Sequence, residues 1–265
     1  MTPSRLVMVG LPDSGKSTYL AAIFHALRHG EEEWKLGDLP QQRDYLLGLE
    51  NKWLALEPVG HSAYPTPRDV QLSLVGPDDA QLEIQIPDIN GEDFQQAWES
   101  GRWSPEAADL VERAEALMLF VRANHLRRPK PIEVYTERSA PASTPDDWTP
   151  KLGTTQAQLC DLCEQIAERR AGQLPPMALV VSAWDAVEDD QLTPAGWLNW
   201  KLPLLDQWLR ASRLVGTYRV FGVSAQGGNI EDARTRERLA QLPRTGRPGG
   251  FDALTDPLHW LIRLQ

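Results

Sequence analysis

Gly10-Leu-Pro-Asp-Ser-Gly15-Lys16-Ser17-Thr18 is a glycine-bracketed turn that ends on a lysine and two hydroxyls, and it fits the pattern G-x-x-x-x-G-K-[ST]. Residues of these types at this spacing bind phosphate. Backbone N–H groups and the positive end of a following helix point at the anion. Lys16 adds a charge for the β/γ-phosphates, and the Ser17 hydroxyl is placed to ligate Mg²⁺. Gly10, Asp13, Ser14, Gly15, Lys16, Ser17 and Thr18 are therefore the expected phosphate-site residues. A turn that bound nothing would not account for a lysine at that position.

Four later segments carry groups that complete such a site. Asp88, in Ile86-Pro-Asp-Ile-Asn-Gly91-Glu92-Asp93, is a carboxylate at a strand end that holds Mg²⁺ through water. Gly91, three residues on, offers its N–H to a γ-phosphate. Thr66, in Tyr64-Pro-Thr-Pro67, is spaced to close over the metal and the γ-phosphate. Asp185, in Val181-Ser-Ala-Trp-Asp185, can accept from the N1–H and exocyclic N2–H₂ of guanine, a donor pair adenine lacks. Ser224-Ala225-Gln226 is a small-residue loop whose backbone N–H groups can approach the guanine O6.

These segments need a scaffold that brings strand ends together. Leu6–Val9, Ala116–Val121, Met177–Val181 and Tyr218–Val223 are short apolar runs, each followed by turn residues and a helical pattern. Repeated strand–helix units give a mostly parallel sheet with helices on both faces. Val70–Val75 and Gln81–Ile86 alternate around the turn Gly76-Pro-Asp-Asp79, which predicts a hairpin and one antiparallel strand at the sheet edge. The expectation is an α/β, three-layer fold with six strands. Helices are expected from Tyr19 to Leu27 and over 39–57, 106–113, 155–171, 194–214 and 256–264. Trp197, Trp200, Leu204, Trp208 and Leu209 recur at helical spacing and read as a core or partner-facing stripe. Arg127–Pro150, with five prolines, and Pro243–Gly250 read as surface loops. Neither marks a domain boundary, so residues 1–265 are expected to form one domain with a Pro-rich insertion at about 127–150.

In this order and at these strand ends, the segments resemble the small Ras-like GTPases of the translation-factor-related P-loop class, over nearly the whole chain. Gly10–Ser17 is similar to their first motif, Thr66 to the second, Asp88–Gly91 to the third, Ser182–Asp185 to the fourth and Ser224–Gln226 to the fifth. The Ser-Ala-Trp-Asp and Asp-x-x-Gly-Glu forms and the Pro-rich loop resemble the bacterial double-GTPase group linked to conflict and defence systems. The resemblance implies GTP/GDP and Mg²⁺ as ligands, with Ser17, Thr66 and Asp88 on the metal. It implies Lys16, Glu92 and Thr66 in catalysis, and Gly91, Asp185, Ser224 and Ala225 on the nucleotide.

Three departures bear on that chemistry. Ala183 stands where the fourth motif has a lysine whose stem packs along the base, and Trp184 is a candidate replacement by stacking or simply a packing residue. Glu92 stands where Ras-like enzymes carry a water-orienting glutamine; a carboxylate accepts from water but donates nothing, and phosphates repel it. Pro12 has no N–H and occupies space an inserted arginine would cross. Hydrolysis is therefore expected to be slow or partner-dependent, with Arg68, Arg102, Arg127 and Arg128 as arginines available within the chain. Two other readings stay open: a GTP-loaded assembly module that does not hydrolyse, and an ATPase.

Composition narrows the partners. The chain has 265 residues and a formal charge of −10, and no basic stripe, which argues against nucleic acid and anionic membrane surfaces. No apolar run reaches membrane-spanning length and residues 1–5 do not form a signal peptide, so a cytoplasmic location is expected. A protein partner, such as a second GTPase or an effector, is expected at the Pro-rich loop or the Trp-bearing helix. The two cysteines, Cys160 and Cys163, lie one helical turn apart with no second pair to complete a zinc site, and read as buried thiols. The five histidines are scattered, and no Gly-x-Ser-x-Gly elbow is present.

Overall fold

A computed structural model describes residues 4–29, 33–59, 69–87, 91–129, 149–189, 191–241 and 251–264. The strands are β1 (Ser4–Val9), β2 (Lys35–Leu36), β3 (Asp69–Val75), β4 (Gln81–Pro87), β5 (Ala116–Arg122), β6 (Met177–Ser182) and β7 (Tyr218–Val223). They form one sheet in the order β2-β3-β4-β1-β5-β6-β7. From β4 to β7 every pairing is parallel, while β3 pairs antiparallel with both β4 and β2. The hairpin is as expected, with Asp69 opposite Pro87 and Val75 opposite Gln81. The sheet differs from expectation in having a seventh strand among the described residues. Lys35–Leu36 is too short and too polar to show as an apolar run, and it covers the outer edge of β3.

Strand alternation sends neighbouring residues to opposite cores. Leu6 and Met8, Met118 and Phe120, and Ala178 and Val180 join one cluster. Val7 and Val9, Leu117, Leu119 and Val121, and Leu179 and Val181 join the other. Because the central strands β5 and β6 are buried on both faces, they read in sequence as continuous apolar runs rather than alternating ones. On the first face pack α1 (Lys16–His29), α2 (Arg43–Leu54) and α9 (Asp256–Ile262). On the second pack α3 (Gly91–Ser100), α4 (Pro105–Glu112), α5 (Thr155–Arg169), α6 (Pro194–Lys201) and α7 (Pro203–Ala211). A further helix, α8 (Ala233–Gln241), follows β7. The three-layer α/β architecture is the one expected.

Local chemistry sets the helix ends. Ser104, Thr154 and Thr193 cap α4, α5 and α6 by accepting from the N–H three residues on, and prolines occupy N1 of α4 and α6. The expected single helix over 194–214 is two helices. Pro203 has no N–H to continue the ladder, and Leu202 turns to φ −132°, ψ 57°. The break splits the aromatic stripe: Trp197 and Leu209 are buried, whereas Trp200 is 63% exposed and Leu204 46%. The segment Gly91–Asp93, read from sequence as loop, is the first turn of α3. Pro243–Gly250 lies outside the described residues. No helix among the described residues is long and apolar enough to cross a membrane.

Candidate nucleotide site

β1 ends at Val9 beside β5, and the chain turns there into the loop that precedes α1. Two glycines make the turn possible. Gly10 has φ 151°, and a Cβ there would lie 2.8 Å from the Phe120 carbonyl oxygen and 2.9 Å from Ser14 Oγ. Gly15 has φ 96°, and a Cβ would lie 2.8 Å from Ser182 Oγ. Asp13 also adopts the left-handed region, at φ 58°. The result is a tight loop with Ser14 and Lys16 buried and Ser17 and Thr18 half-buried on the first turn of α1.

Lys16 folds back across this loop. Its Nζ donates to the carbonyls of Gly10 (2.7 Å) and Leu11 (3.1 Å) and to Ser14 Oγ (3.3 Å). It also lies 5.8 Å from the centroid of the Phe94 ring on α3. The ammonium is thereby held across the loop by two of its carbonyls and one hydroxyl, a place from which it can meet a phosphate at the start of α1.

The first turn of α3 is pressed against the same loop. Gly91 is buried, and a Cβ on it would sit 2.5 Å from Pro12 N and 2.6 Å from Pro12 Cα. Only glycine fits at that approach. Sequence reading assigns Gly91 to a phosphate; the structure adds a contact with Pro12 that requires glycine on steric grounds alone. Glu92, next in the chain, is exposed on the same turn. Asp88 and Thr66, the two other expected metal ligands, lie outside the described residues, as does Arg68.

The fourth and fifth segments converge on each other and on the phosphate loop. Ser182, the last residue of β6, donates from Oγ to the Ser14 carbonyl at 2.6 Å and is buried. Ser224 Oγ donates to Asp185 Oδ1 in a very short hydrogen bond and accepts from Gly227 N at 3.1 Å. Ser224 is buried and Asp185 exposed, so the serine orients a carboxylate that faces out from the strand ends. Behind them, Trp53 of α2 donates its indole N–H to the Ala225 carbonyl at 2.8 Å. Trp53 supports this loop from 172 residues away in sequence, and no local signal identifies it. Ser182, by contrast, is readable as the polar residue that ends an apolar strand.

Ala183 sits in the left-handed region, at φ 52°, ψ 45°. Trp184 is buried, with its indole against Gly222, where a Cβ would lie 2.5 Å from the ring, and edge-on to Phe251 with centroids 6.1 Å apart. Of the two readings of Trp184, packing is the one the structure bears out.

A cleft of about 530 Å³ opens on the other side of the phosphate loop. Leu11–Ser14 form one wall, α3 a second, and the end of β5 with the start of α5 a third. Neither Asp185 nor Ser224 lines it, so this cavity is not where a base would meet its reading groups. Its relevance is that Arg127 lines it, as does Arg122, the last residue of β5, which lies just past the strand expected from sequence. Arg102 and Arg128 are exposed elsewhere and do not line it. Arg127 N–H donates to Thr155 Oγ1 (2.8 Å) and Thr155 N–H to the Arg127 carbonyl (3.0 Å). The chain before and after the Pro-rich stretch is thus clasped together at the cleft; residues 130–148 themselves lie outside the described ones.

Cys160 and Cys163 are buried in the second-face core. Burial first, and then the nearby Glu164 and Asp161 carboxylates, push the Cys160 thiol up to about 12. Burial pushes Cys163 up as well. Neither is a thiolate at neutral pH, which excludes them as nucleophiles there.

Residues 7–261 match the family described as Double-GTPase 1. No curated protein matches the chain.

Proposed function

The chain belongs to the Double-GTPase 1 family, a P-loop GTPase group, and from that premise we propose that it is a guanine-nucleotide switch whose hydrolysis is slow or dependent on a partner. The observation that carries the proposal is the Gly91–Pro12 approach. It couples the start of α3 to the phosphate loop, so a γ-phosphate arriving at that loop meets α3 directly. Lys16, the loop amides and Ser17 would hold the β/γ-phosphates, with Thr66 and Asp88 completing a Mg²⁺ site. The metal would supply neutralisation of charge on the transferring phosphoryl group. Asp185, fixed by Ser224, would accept from guanine N1–H and N2–H₂, and the Ala225 loop, fixed by Trp53, would meet O6.

Slow hydrolysis would follow from Glu92, which adjoins the Gly91 that abuts the phosphate loop. In-line attack needs a water held by a group that both accepts and donates, and Glu92 only accepts. Pro12 is packed against Gly91 on one side and lines the open cleft on the other, and it has no N–H to offer a phosphate. Among the described residues, Arg122 and Arg127 line the same cleft as Pro12. In a single-turnover assay, Glu92→Gln should raise the rate of GDP formation about tenfold or more by restoring an amide. An unchanged or lower rate would remove Glu92 from the account.

A second reading, favoured by Ala183 in the fourth motif, by Glu92 and by Pro12, is an assembly module that keeps GTP as a bound ligand. Absence of GDP formation above a Lys16→Ala background would select it. The domain is proposed to be single, with the Pro-rich stretch as an insertion, because the chain closes on itself at Arg127 and Thr155. A second GTPase or effector as partner and a place in a bacterial defence system are proposed on the resemblance, and a cytoplasmic location on the lack of an apolar run of membrane-spanning length. The exposed Trp200–Leu204 face is where such a partner would be sought.

A further inference from the structure

We infer that the interface between α1 and α2 is a binding site for one zinc-class transition cation, held by His25, His29 and Glu50. His25 and His29 stand at i and i+4 on the last turns of α1, so both imidazoles project from one face. Glu50 comes from α2 and is 2% exposed. Its Oε1 receives both rings: His25 Nδ1 at 2.6 Å and His29 Nε2 at 3.4 Å. The three candidate ligand atoms all lie within 4.8 Å of one another.

The two edges to Glu50 are close to tetrahedral spacing. Bonds of about 2.0–2.1 Å to nitrogen and oxygen put neighbouring ligand atoms about 3.3 Å apart. The His29–Glu50 pair is already at that separation. The His25–Glu50 pair needs to open by less than an ångström, from a hydrogen bond to a ligand edge. Because a carboxylate only accepts, His25 now carries a hydrogen on Nδ1; ligation there requires the other tautomer, with the hydrogen on Nε2. His29 is partly exposed, which gives the ion an entry and leaves the fourth position to water. The end of α1 adds its own attraction for a cation through the helix carbonyls. Two imidazoles with one carboxylate select Zn²⁺, Co²⁺ or Ni²⁺ over Mg²⁺ or Ca²⁺.

An ion pair that merely joined two helices would be complete without His29. Arg28 Nη1 already holds Glu50 Oε2 at 2.6 Å, and His25 already holds Oε1. His29 packs its ring on that of His25, with centroids 4.2 Å apart, and so brings a second imidazole nitrogen to the same oxygen, the arrangement a cation would use. This inference is independent of the nucleotide reading.

The test is a Co²⁺ titration of the full chain with Mg²⁺ in excess, read by visible ligand-field absorption and followed by Zn²⁺ displacement. One Co²⁺ per chain with a tetrahedral spectrum, displaced by Zn²⁺, is expected. His29→Ala, at a partly exposed position where folding is not at stake, should weaken binding by at least about tenfold. Wild type and His29→Ala titrating alike, or no Co²⁺ uptake by the wild type, overturns the site and leaves the cluster as an ion pair.

Discussion

Lys16→Ala is expected to abolish measurable GTP turnover and to weaken GTP binding by about tenfold to a hundredfold, with the fold retained. Hydrogen bonds to a charged partner contribute about 1.5–3 kcal/mol each, which sets that range for the ground state. A donor aimed at charge that develops in the transition state contributes about a further 10²–10³ in rate. The fold should survive because alanine is a good residue for the first turn of α1, and the apolar face of that helix, from Leu20 to Leu27, is untouched. The Gly10 and Leu11 carbonyls lose their ammonium donor, so the loop itself should loosen. Equilibrium binding of GTP, single-turnover hydrolysis and a thermal melt on one preparation check the three parts. Unchanged turnover would show that Lys16 is only a brace for its own loop.

Gly91→Ala tests a different link, the one between the loop and α3. One methyl group would lie 2.5 Å from Pro12 N and 2.9 Å from the Leu11 carbonyl carbon, all of them backbone atoms that no rotamer change can relieve. Either α3 tilts away or the loop is displaced, at an overpacking cost of about 1–3 kcal/mol. GTP hydrolysis is expected to fall at least about a hundredfold, because a misplacement of an ångström costs that much in a positioned reaction. GDP affinity should change far less, since the lysine, the loop amides and the Asp185–Ser224 pair do not involve Gly91. Equal losses for GTP and GDP would mean that the contact holds up the site as a whole rather than coupling α3 to the γ-phosphate position.

What was legible in the sequence follows from how local each signal is. The phosphate loop and the four parallel strands around it are short-range patterns, and the structure places them as expected. The hairpin registered because its alternation and its turn are contiguous. β2 escaped because two residues carry no period, and it exists only by pairing with Val75 and Leu74. The break at Pro203 was legible in principle, but the tryptophan and leucine spacing runs straight through it and suggested one helix. The site divides in the same way. Asp185 and Ser224 were found separately from their strand ends, yet their hydrogen bond is tertiary. The Ser182–Ser14 link, the Trp53–Ala225 link and the Gly91–Pro12 contact join residues that only folding brings together. Trp184 shows the converse: a residue next to a motif invites a ligand role, and the packed face of Gly222 supplies the structural one.

The central claim is that these strand ends form a guanine-nucleotide site, with Asp185 as the group that tells guanine from adenine. The measurement that tests it most directly is displacement of labelled GDP from the wild-type chain by unlabelled GTP and by ATP, repeated on Asp185→Ala. GTP is expected to displace at concentrations at least about a hundredfold below those of ATP, since a site built to accept from two donors disfavours a base that lacks them. Asp185→Ala should lose most of that preference. Equal displacement by GTP and ATP from the wild type would contradict it.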